Sequence, residues 1–313
     1  MSASTLVETR AATAAFPKRR FLLWTVAFFT IVGVMGIGCL ITQAEVFPAV
    51  TGNLSAQMIL GVFLLSLVLE FVDSSLGMGY GTALTPVLML VFGFELHQIV
   101  PCILLSECLA GAAAGLMHHR DGNVDFVRDK QARGTVLMLS VLSVIGVIVG
   151  VKLATCSIPK DVVKTLVAAI IMSVGIITLV TARRRFRYRP GHMITLGAVA
   201  AFNKAISGGG YGPLVTSGQV VSGLSPKQAV AITSMAESFT CLAGLVTYAV
   251  VTAVGTEHGP DWSLALPMAL GALMSVPLAT TVVRRLNETF LRTIVGAVTC
   301  LLAGLMFYKL FLG

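Results

Sequence analysis

Long apolar stretches, separated by short polar connections, follow one another along almost the whole chain. Most of them reach about 20 residues, the length that an α-helix needs to cross a bilayer. The apolar residues run continuously rather than in alternation, which disfavours a transmembrane β-barrel. The pattern therefore predicts an all-α polytopic membrane protein. Its apolar segments cover roughly residues 21–44, 56–72, 82–93, 98–118, 134–155, 161–182, 193–206, 213–223, 228–254, 262–283 and 290–312.

Two of these segments, 82–93 and 213–223, are too short to cross the membrane as ordinary straight helices. A helix rises about 1.5 Å per residue, so each covers about half to two-thirds of a hydrocarbon core that is about 30 Å thick. Each segment follows glycines that lie in the phrases LGMGYGTALTPV and SGGGYGPLVTSG. Residues 77–81 are named the first glycine turn and residues 208–212 the second. Short segments at matching places in two halves are typical of secondary transporters with internal repeats.

The two halves of the chain also share residues around these turns. An alignment on the common Gly-Tyr-Gly, with one residue skipped, gives nine identities, against about two or three expected by chance for such a composition. We therefore expect an internal repeat. The identical pairs are Gly77 and Gly208, Gly79 and Gly210, Tyr80 and Tyr211, Gly81 and Gly212, Thr85 and Thr216, Gly93 and Gly223, Gln98 and Gln228, Val100 and Val230, and Glu107 and Glu237.

The positive charge of the chain is concentrated in a few connections. The sequence is 56% hydrophobic and 12% charged, with 22 Lys and Arg residues against 14 Asp and Glu residues. Basic residues gather on the cytoplasmic side of membrane proteins because they orient insertion. If the N-terminus is cytoplasmic and every segment crosses, nearly all basic residues lie on that side, including RRRFRYR at 183–189. Membrane orientation therefore explains the basic clusters better than nucleic-acid binding does.

The same topology gives each half five crossings, so the second half inserts upside down relative to the first. The predicted fold is an inverted five-segment repeat with short broken helices after the glycine turns, plus one extra N-terminal helix. The apolar part of that helix exceeds the roughly 7–15 residues of a signal-peptide core, so we expect it to be retained. The predicted parts are a cytoplasmic tail at 1–20, the extra helix and a loop at 21–55, repeat 1 at 56–182, a basic cytoplasmic linker at 183–192 and repeat 2 at 193–313.

The glycine turns are candidates for an anion site within the lipid bilayer. Glycine inside a helix costs about 1 kcal/mol relative to alanine, and unwound backbone survives in a bilayer only when it is buried or lines a cavity. Its free N–H groups and the N-terminus of the next helix attract negative ligands. The alternative is close helix packing through small residues. The candidate substrate-binding residues are Gly77, Gly79, Tyr80, Gly81, Thr85, Asn203, Lys204, Gly208, Gly209, Gly210, Tyr211, Gly212 and Thr216.

Ionisable residues also occur inside the apolar segments. Glu107 and Glu237 occupy matched positions, and carboxylates at such depth are functional-site candidates. They are the candidate proton-coupling residues, with bracing of an unwound loop as the alternative. Lys204 would compensate the charge of a bound anion, or would pair with Asp73, its counterpart in the first half. Glu70 and Asp73 are assigned to the membrane boundary of their segment.

The aromatic and histidine residues allow two interpretations. Tyr80 and Tyr211 would each donate a hydroxyl hydrogen bond to the substrate, and anchoring at the membrane interface is the alternative. His97, His118 and His119 are assigned to loops or to the interface. The sequence has no Walker, Rossmann, zinc or nucleophile motif, and its six cysteines lack metal-ligand spacing. We therefore expect no enzyme activity, no cofactor and no metal.

GMGYGTALTPVLMLVFGF in the first half and SGGGYGPLVTSGQVVSGLSPKQAV in the second resemble the TauE/SafE sulfite-exporter family, over about residues 56–312. Met78 departs from the glycine found in the second copy. The resemblance implies transport of sulfite, sulfoacetate, thiosulfate or other sulfonates.

Together with the repeat, the resemblance predicts a secondary transporter, in the export direction, that is coupled to protons or to the membrane potential. The alternatives are an uptake permease or uniporter for the same anions, an anion channel, and a membrane sensor or assembly factor that does not transport. The expected location is a bacterial-type cytoplasmic (inner) membrane. The sequence leaves open whether the chain forms a homodimer.

Overall fold

The computed structural model describes residues 54–155, 224–254 and 261–283 continuously, together with single helical positions between 162 and 219 and between 293 and 308. The extra N-terminal helix and the basic linker at 183–192 lie outside the described residues. The continuous ranges contain six helices and no strand. They are α1 (Ala56–Leu76), α2 (Tyr80–Leu90), α3 (Leu96–Arg120), α4 (Lys130–Thr155), α5 (Pro226–Val254) and α6 (Ala265–Val282).

Five of the described helices are long and apolar enough to cross a membrane: α1, α3, α5 and α6, and α4 over Lys130–Gly150. The prediction of an all-α polytopic membrane protein is thereby confirmed. The helix α2 has 11 residues and is therefore about 16 Å long, close to half the thickness of a hydrocarbon core. The short helix that was predicted after the first glycine turn is also confirmed.

Two glycines separate α1 from α2. Gly77 ends α1 with a φ of 69°, and Gly79 precedes α2 with a φ of 131°. Residues other than glycine rarely adopt these backbone φ values. The two glycines therefore allow one helix to end and the next to begin within three residues. In the second half, the described positions Tyr211, Gly212 and Thr216 are helical. The described positions at the end of the second glycine turn and after it are therefore helical.

The helices α3 and α5 pack along each other at the centre of the described part of the chain. Their contact is close because small residues face it: Gly111 lies against the Ser234 backbone, and the Ser238 hydroxyl donates to the Cys108 carbonyl at 2.8 Å. On one side, α6 packs on α1 and α3, and on the other, α4 packs on α5. Tyr80 lies in the apolar core of α1, α2, α3 and α6, and Tyr211 lies in the core of α3, α4 and α5.

Two glutamine–aspartate contacts join the halves. Gln98 Nε2, at the start of α3, donates to Asp261 Oδ2 at 2.7 Å, and Gln228 Nε2, at the start of α5, donates to Asp129 Oδ2 at 3.4 Å. Asp261 lies beyond the end of α5 and Asp129 lies beyond the end of α3, so the two helices run antiparallel. Each half thus contacts the other at opposite ends of the α3–α5 pair, which is the arrangement that an inverted repeat predicts.

Candidate functional site

The structure brings the two glycine turns into contact. The Thr216 hydroxyl donates to the Gly77 carbonyl at 2.8 Å. A Cβ atom added to Gly212 would collide with the same carbonyl oxygen and would lie 2.8 Å from Met78 Cα. All four residues that meet here are buried. In this conformation, therefore, an anion has no room between Gly77 and Gly212 themselves.

Both tyrosines of the turns are fully buried, so the alternative of anchoring at the membrane interface is wrong. The Tyr80 hydroxyl lies 2.7 Å from Ser66 Oγ and 2.9 Å from Ser106 Oγ. The Tyr211 hydroxyl lies 3.4 Å from Ser143 Oγ. In this conformation the hydroxyl groups of Tyr80 and Tyr211 are hydrogen-bonded to serines of the protein itself. Substrate binding through either tyrosine stays a prediction that requires exchange of these partners.

Lys204 is the buried cation of the site, with 1% of its surface exposed. Its ammonium group forms salt bridges with Glu107 of α3 and with Glu237 of α5, and the Nζ–Oε1 distance to Glu237 is 2.5 Å. The two glutamates at matched positions of the halves therefore converge on one lysine. Asp73 lies within electrostatic range of Lys204, but the salt bridges of this lysine among the described residues run to the two glutamates.

Asp73 lies inside the protein beside the first glycine turn. It is 7% exposed, and its Oδ1 accepts the backbone N–H of Tyr80, the first residue of α2, at 3.4 Å. A carboxylate at this place also interacts favourably with the positive end of the helix dipole. The assignment of Asp73 to the membrane boundary was wrong. The protein therefore supplies its own anionic group to the first turn, and the matched position near the second turn holds the cation Lys204.

Glu70 is also buried, with 2% of its surface exposed, so its assignment to the boundary was wrong as well. Its Oε1 accepts the Ser74 hydroxyl at 2.7 Å. The sequence signal for this polar face was present, because Ser66, Glu70, Asp73 and Ser74 recur at spacings of three and four. Such spacing places side chains on one face of a helix, and here that face points towards the protein interior.

Two of the histidines, His118 and His97, differ in how far they are buried. His118 is fully buried near the end of α3, so its assignment to a loop or interface was wrong. Its Nε2 lies 3.1 Å from the Ser74 carbonyl oxygen and its Nδ1 lies 2.9 Å from Asn123 Nδ2. The carbonyl accepts from Nε2–H and the amide N–H donates to Nδ1, which defines a neutral tautomer. His97 is exposed, and its Nδ1 lies 3.3 Å from Glu95 Oε2.

The remaining candidates are placed only in part. Gly79, Gly81 and Thr85 are buried at the start of α2. Asn203, Gly208, Gly209 and Gly210 lie outside the described residues. Within the described parts of the chain, no group of three or more His, Cys, Asp or Glu side chains is arranged to hold a metal ion.

The comparisons with known proteins agree with the membrane architecture. The family model described as sulfite exporter TauE/SafE matches residues 62–306, a range that includes both glycine turns and the cluster around Lys204. The probable membrane transporter protein YtnM of Bacillus subtilis (strain 168) is 29% identical over 245 residues, which cover 74% of this chain and 77% of the relative. No solved structure matches the chain.

Proposed function

This chain belongs to the sulfite exporter TauE/SafE family of membrane transporters, and we propose that it is a secondary transporter that carries small sulfur-containing anions outward. Sulfite, sulfoacetate and other sulfonates are the proposed substrates, since the description of the family names sulfite export. We place the protein in the cytoplasmic membrane with its N-terminus in the cytoplasm, since that orientation puts the basic loops inside. Protons or the membrane potential supply the coupling energy.

The observation that carries this proposal is the position of Lys204. A buried ammonium group lies within electrostatic range of Asp73, beside the first glycine turn, and it belongs to the half whose matched position holds no carboxylate. An oxyanion at this point would gain the charge of Lys204 and, as the sequence predicts, the N–H groups of the second turn. To do so it must replace Glu107 or Glu237 as a partner of the lysine. Movement of these glutamates is therefore part of the proposed binding step.

The contact between the turns supports a carrier rather than an open channel. Gly77 touches Gly212 and Thr216 inside the protein, so passage of a solute requires the turns to separate. The exchanged glutamine–aspartate contacts at opposite ends of α3 and α5 support an inverted repeat. In such a fold, one half tilts against the other around a fixed site and exposes that site to each side in turn.

The test is flux through the purified full-length protein in liposomes. Labelled sulfite, sulfoacetate and taurine are supplied separately under imposed pH, sodium and potassium-diffusion gradients. We expect saturable counterflow of at least one sulfur anion, and no single-channel conductance in planar bilayers. Conductance without counterflow would assign a channel, and the absence of both flux and conductance would refute transport of these anions.

A matched pair of lysine variants connects the flux to the site. Lys204→Met should abolish counterflow, because the buried positive charge is lost. Lys130→Met changes an exposed lysine at the start of α4 and should leave counterflow unchanged. Equal activity of both variants would remove Lys204 from the substrate site.

A further inference from the structure

Glu70 is the carboxyl group of the site that has a buried oxygen without a hydrogen-bond partner among the described residues. Its Oε1 accepts the Ser74 hydroxyl at 2.7 Å, and its Oε2 is that buried oxygen. A buried ionised carboxylate costs several kcal/mol unless it is paired and hydrogen-bonded. An oxygen without a partner is therefore unfavourable in the ionised form, and a carboxylic acid suits this position better.

The other buried acids of the cluster are better compensated. Glu107 and Glu237 share the ammonium group of Lys204, and Asp73 accepts a backbone N–H at the start of α2. Lys204, Glu237 and Asp73 are all within electrostatic range of Glu70. The described residues of α6, which packs on α1, include no titratable side chain. Among the described residues, Asp73 on its own helix, Lys204, Glu237 of α5 and Tyr80 of α2 interact electrostatically with Glu70. Glu107 of α3 contacts Lys204, and His118 of α3 contacts the Ser74 carbonyl.

The charge of this cluster limits what can bind there. Four carboxyl groups and one ammonium group would carry a formal charge of −3 if all were ionised. A substrate anion cannot enter this buried, negatively charged cluster unless its charge is compensated, because like charges repel strongly at low dielectric constant. Uptake of a proton by the cluster lowers this repulsion. The group that takes up the proton at the lowest cost is the one whose ionised form leaves a buried oxygen unpaired, which among the described carboxyl groups of the cluster is Glu70.

We propose that Glu70 is the proton-binding residue of the transporter, and that it binds one proton together with each substrate anion. The proton comes from water on the side at which the anion enters, is held as the O–H of the carboxylic acid, and returns to water when the anion leaves. Since this proton moves outward with the anion, the membrane potential that acts on the remaining negative charge of a divalent anion supplies the energy for export. This inference rests on the proposed function. It assigns the coupling proton to Glu70, and it leaves Glu107 and Glu237 as the ionised partners of Lys204.

The binding of the proton and the binding of the anion are thermodynamically linked, and this linkage can be measured. If protonation of Glu70 favours anion binding, anion binding favours protonation of Glu70 to the same extent. Anion affinity then falls as the pH rises above the titration of Glu70, by about tenfold per pH unit for one linked proton. In Glu70→Gln the side chain resembles the protonated acid. That variant should bind the anion with nearly constant affinity over the same pH range.

The experiment measures binding of labelled sulfoacetate to the full-length protein in detergent between about pH 6 and about pH 8.5. Its carboxyl group titrates near pH 4, as ordinary carboxyl groups do, so the charge of the probe stays constant. We expect the wild-type protein to lose affinity with rising pH and Glu70→Gln to retain it within about twofold. A wild-type slope in Glu70→Gln, or a flat wild-type profile, would overturn the assignment.

Three further variants separate Glu70 from its neighbours. Glu107→Gln and Glu237→Gln should keep the wild-type slope, and loss of the slope in either one with its retention in Glu70→Gln would move the proton site there. Ser74→Ala removes the hydroxyl that stabilises the ionised form of Glu70, so its affinity profile should shift to higher pH. An unshifted profile contradicts the proposal, and this variant decides the question if Glu70→Gln does not fold.

Counterflow of sulfoacetate at a single pH is measured in parallel. Absence of sulfoacetate binding and of counterflow of every sulfur anion tested above in the wild-type protein refutes the proposed function. Wild-type counterflow with a pH slope that Glu70→Gln retains refutes only the role of Glu70.

Discussion

Thr216 in the second half of the chain donates its hydroxyl hydrogen to the carbonyl oxygen of Gly77 in the first half, at 2.8 Å. The same Thr216 oxygen lies 2.9 Å from the Thr233 hydroxyl, which also accepts from Gln219 Nε2 at 2.8 Å. All of these side chains are buried. The contact between the glycine turns is therefore supported by a hydrogen-bonded network that reaches into α5.

Thr216→Val should destabilise this contact. Valine has a similar shape, but it leaves the buried carbonyl of Gly77 without its hydrogen-bond donor, at a cost of about 1–3 kcal/mol. The matched control is Thr135→Val, because the half-buried Thr135 donates its hydroxyl to the Gln131 carbonyl within α4 in a solvent-exposed hydrogen bond. The thermal midpoint of the detergent-solubilised protein should fall for the first variant and stay near wild type for the second. Equal midpoints would show that the hydrogen bond contributes nothing to stability.

Gly212→Ala should disrupt the contact by steric overlap. The added methyl group would collide with the Gly77 carbonyl oxygen, and the backbone cannot move away as a flexible side chain could. Gly134→Ala provides the control, since a methyl group there meets no atom within 4 Å and Gly134 lies within α4. That change should be neutral or stabilising by up to about 1 kcal/mol. Comparison of counterflow and thermal midpoints checks both expectations. Normal counterflow in Gly212→Ala would contradict the observed packing.

Lys204→Met should destabilise the protein as well as abolish transport. The change leaves the carboxylates of Glu107 and Glu237 without their cation, and loss of one partner of a buried ion pair costs about 3–5 kcal/mol. A triple variant that adds Glu107→Gln and Glu237→Gln removes the uncompensated charges. Its thermal midpoint should recover most of the loss, while sulfoacetate binding stays absent. Recovery of binding in the triple variant would mean that Lys204 serves only to balance the two glutamates.

Asp261→Asn should weaken one of the contacts between the halves in a pH-dependent way. Partial burial acts to raise the pKa of Asp261, but hydrogen bonds from Gln98 and Ser263 outweigh it and hold this pKa below its usual value. An acid with a lowered pKa in the folded state stabilises the fold above its unfolded-state pKa, and that contribution is lost as the pH falls through the folded-state pKa.

The loss in Asp261→Asn should therefore be about 1 kcal/mol near neutral pH and should shrink below about pH 4. Thermal midpoints of wild type, Asp261→Asn and Gln98→Ala as a function of pH measure it. A difference between wild type and Asp261→Asn that is the same at every pH would exclude an ionised Asp261 as its source.

The sequence predicted where helices and turns lie along the chain better than it predicted which residues meet in the folded protein. The short helix α2 could be placed to within a few residues, because Gly77 and Gly79 interrupt the apolar run and an 11-residue segment cannot cross a bilayer. Glu107 and Glu237 could be matched by alignment. Their convergence on Lys204 could not, because spacing within each half contains no information about which faces meet.

Glu70 and Asp73 were misplaced for a related physical reason. A charged residue near the end of an apolar run is usually found at the membrane surface, where water solvates it. Here the end of α1 lies inside the protein, because the chain turns at Gly77 and starts α2 without leaving the interior. The polar residues that precede this turn are solvated by Ser74 and by the Tyr80 amide instead of by water.

The two glutamine–aspartate contacts have a consequence for movement. They lie at opposite ends of an antiparallel helix pair, and each joins a residue of one half to a residue of the other. A tilt that lengthens one of them brings the partners of the other closer together. Because the first contact is 2.7 Å long and the second 3.4 Å, the two ends are not held equally, and the end closed by Gln98 and Asp261 should resist opening more strongly.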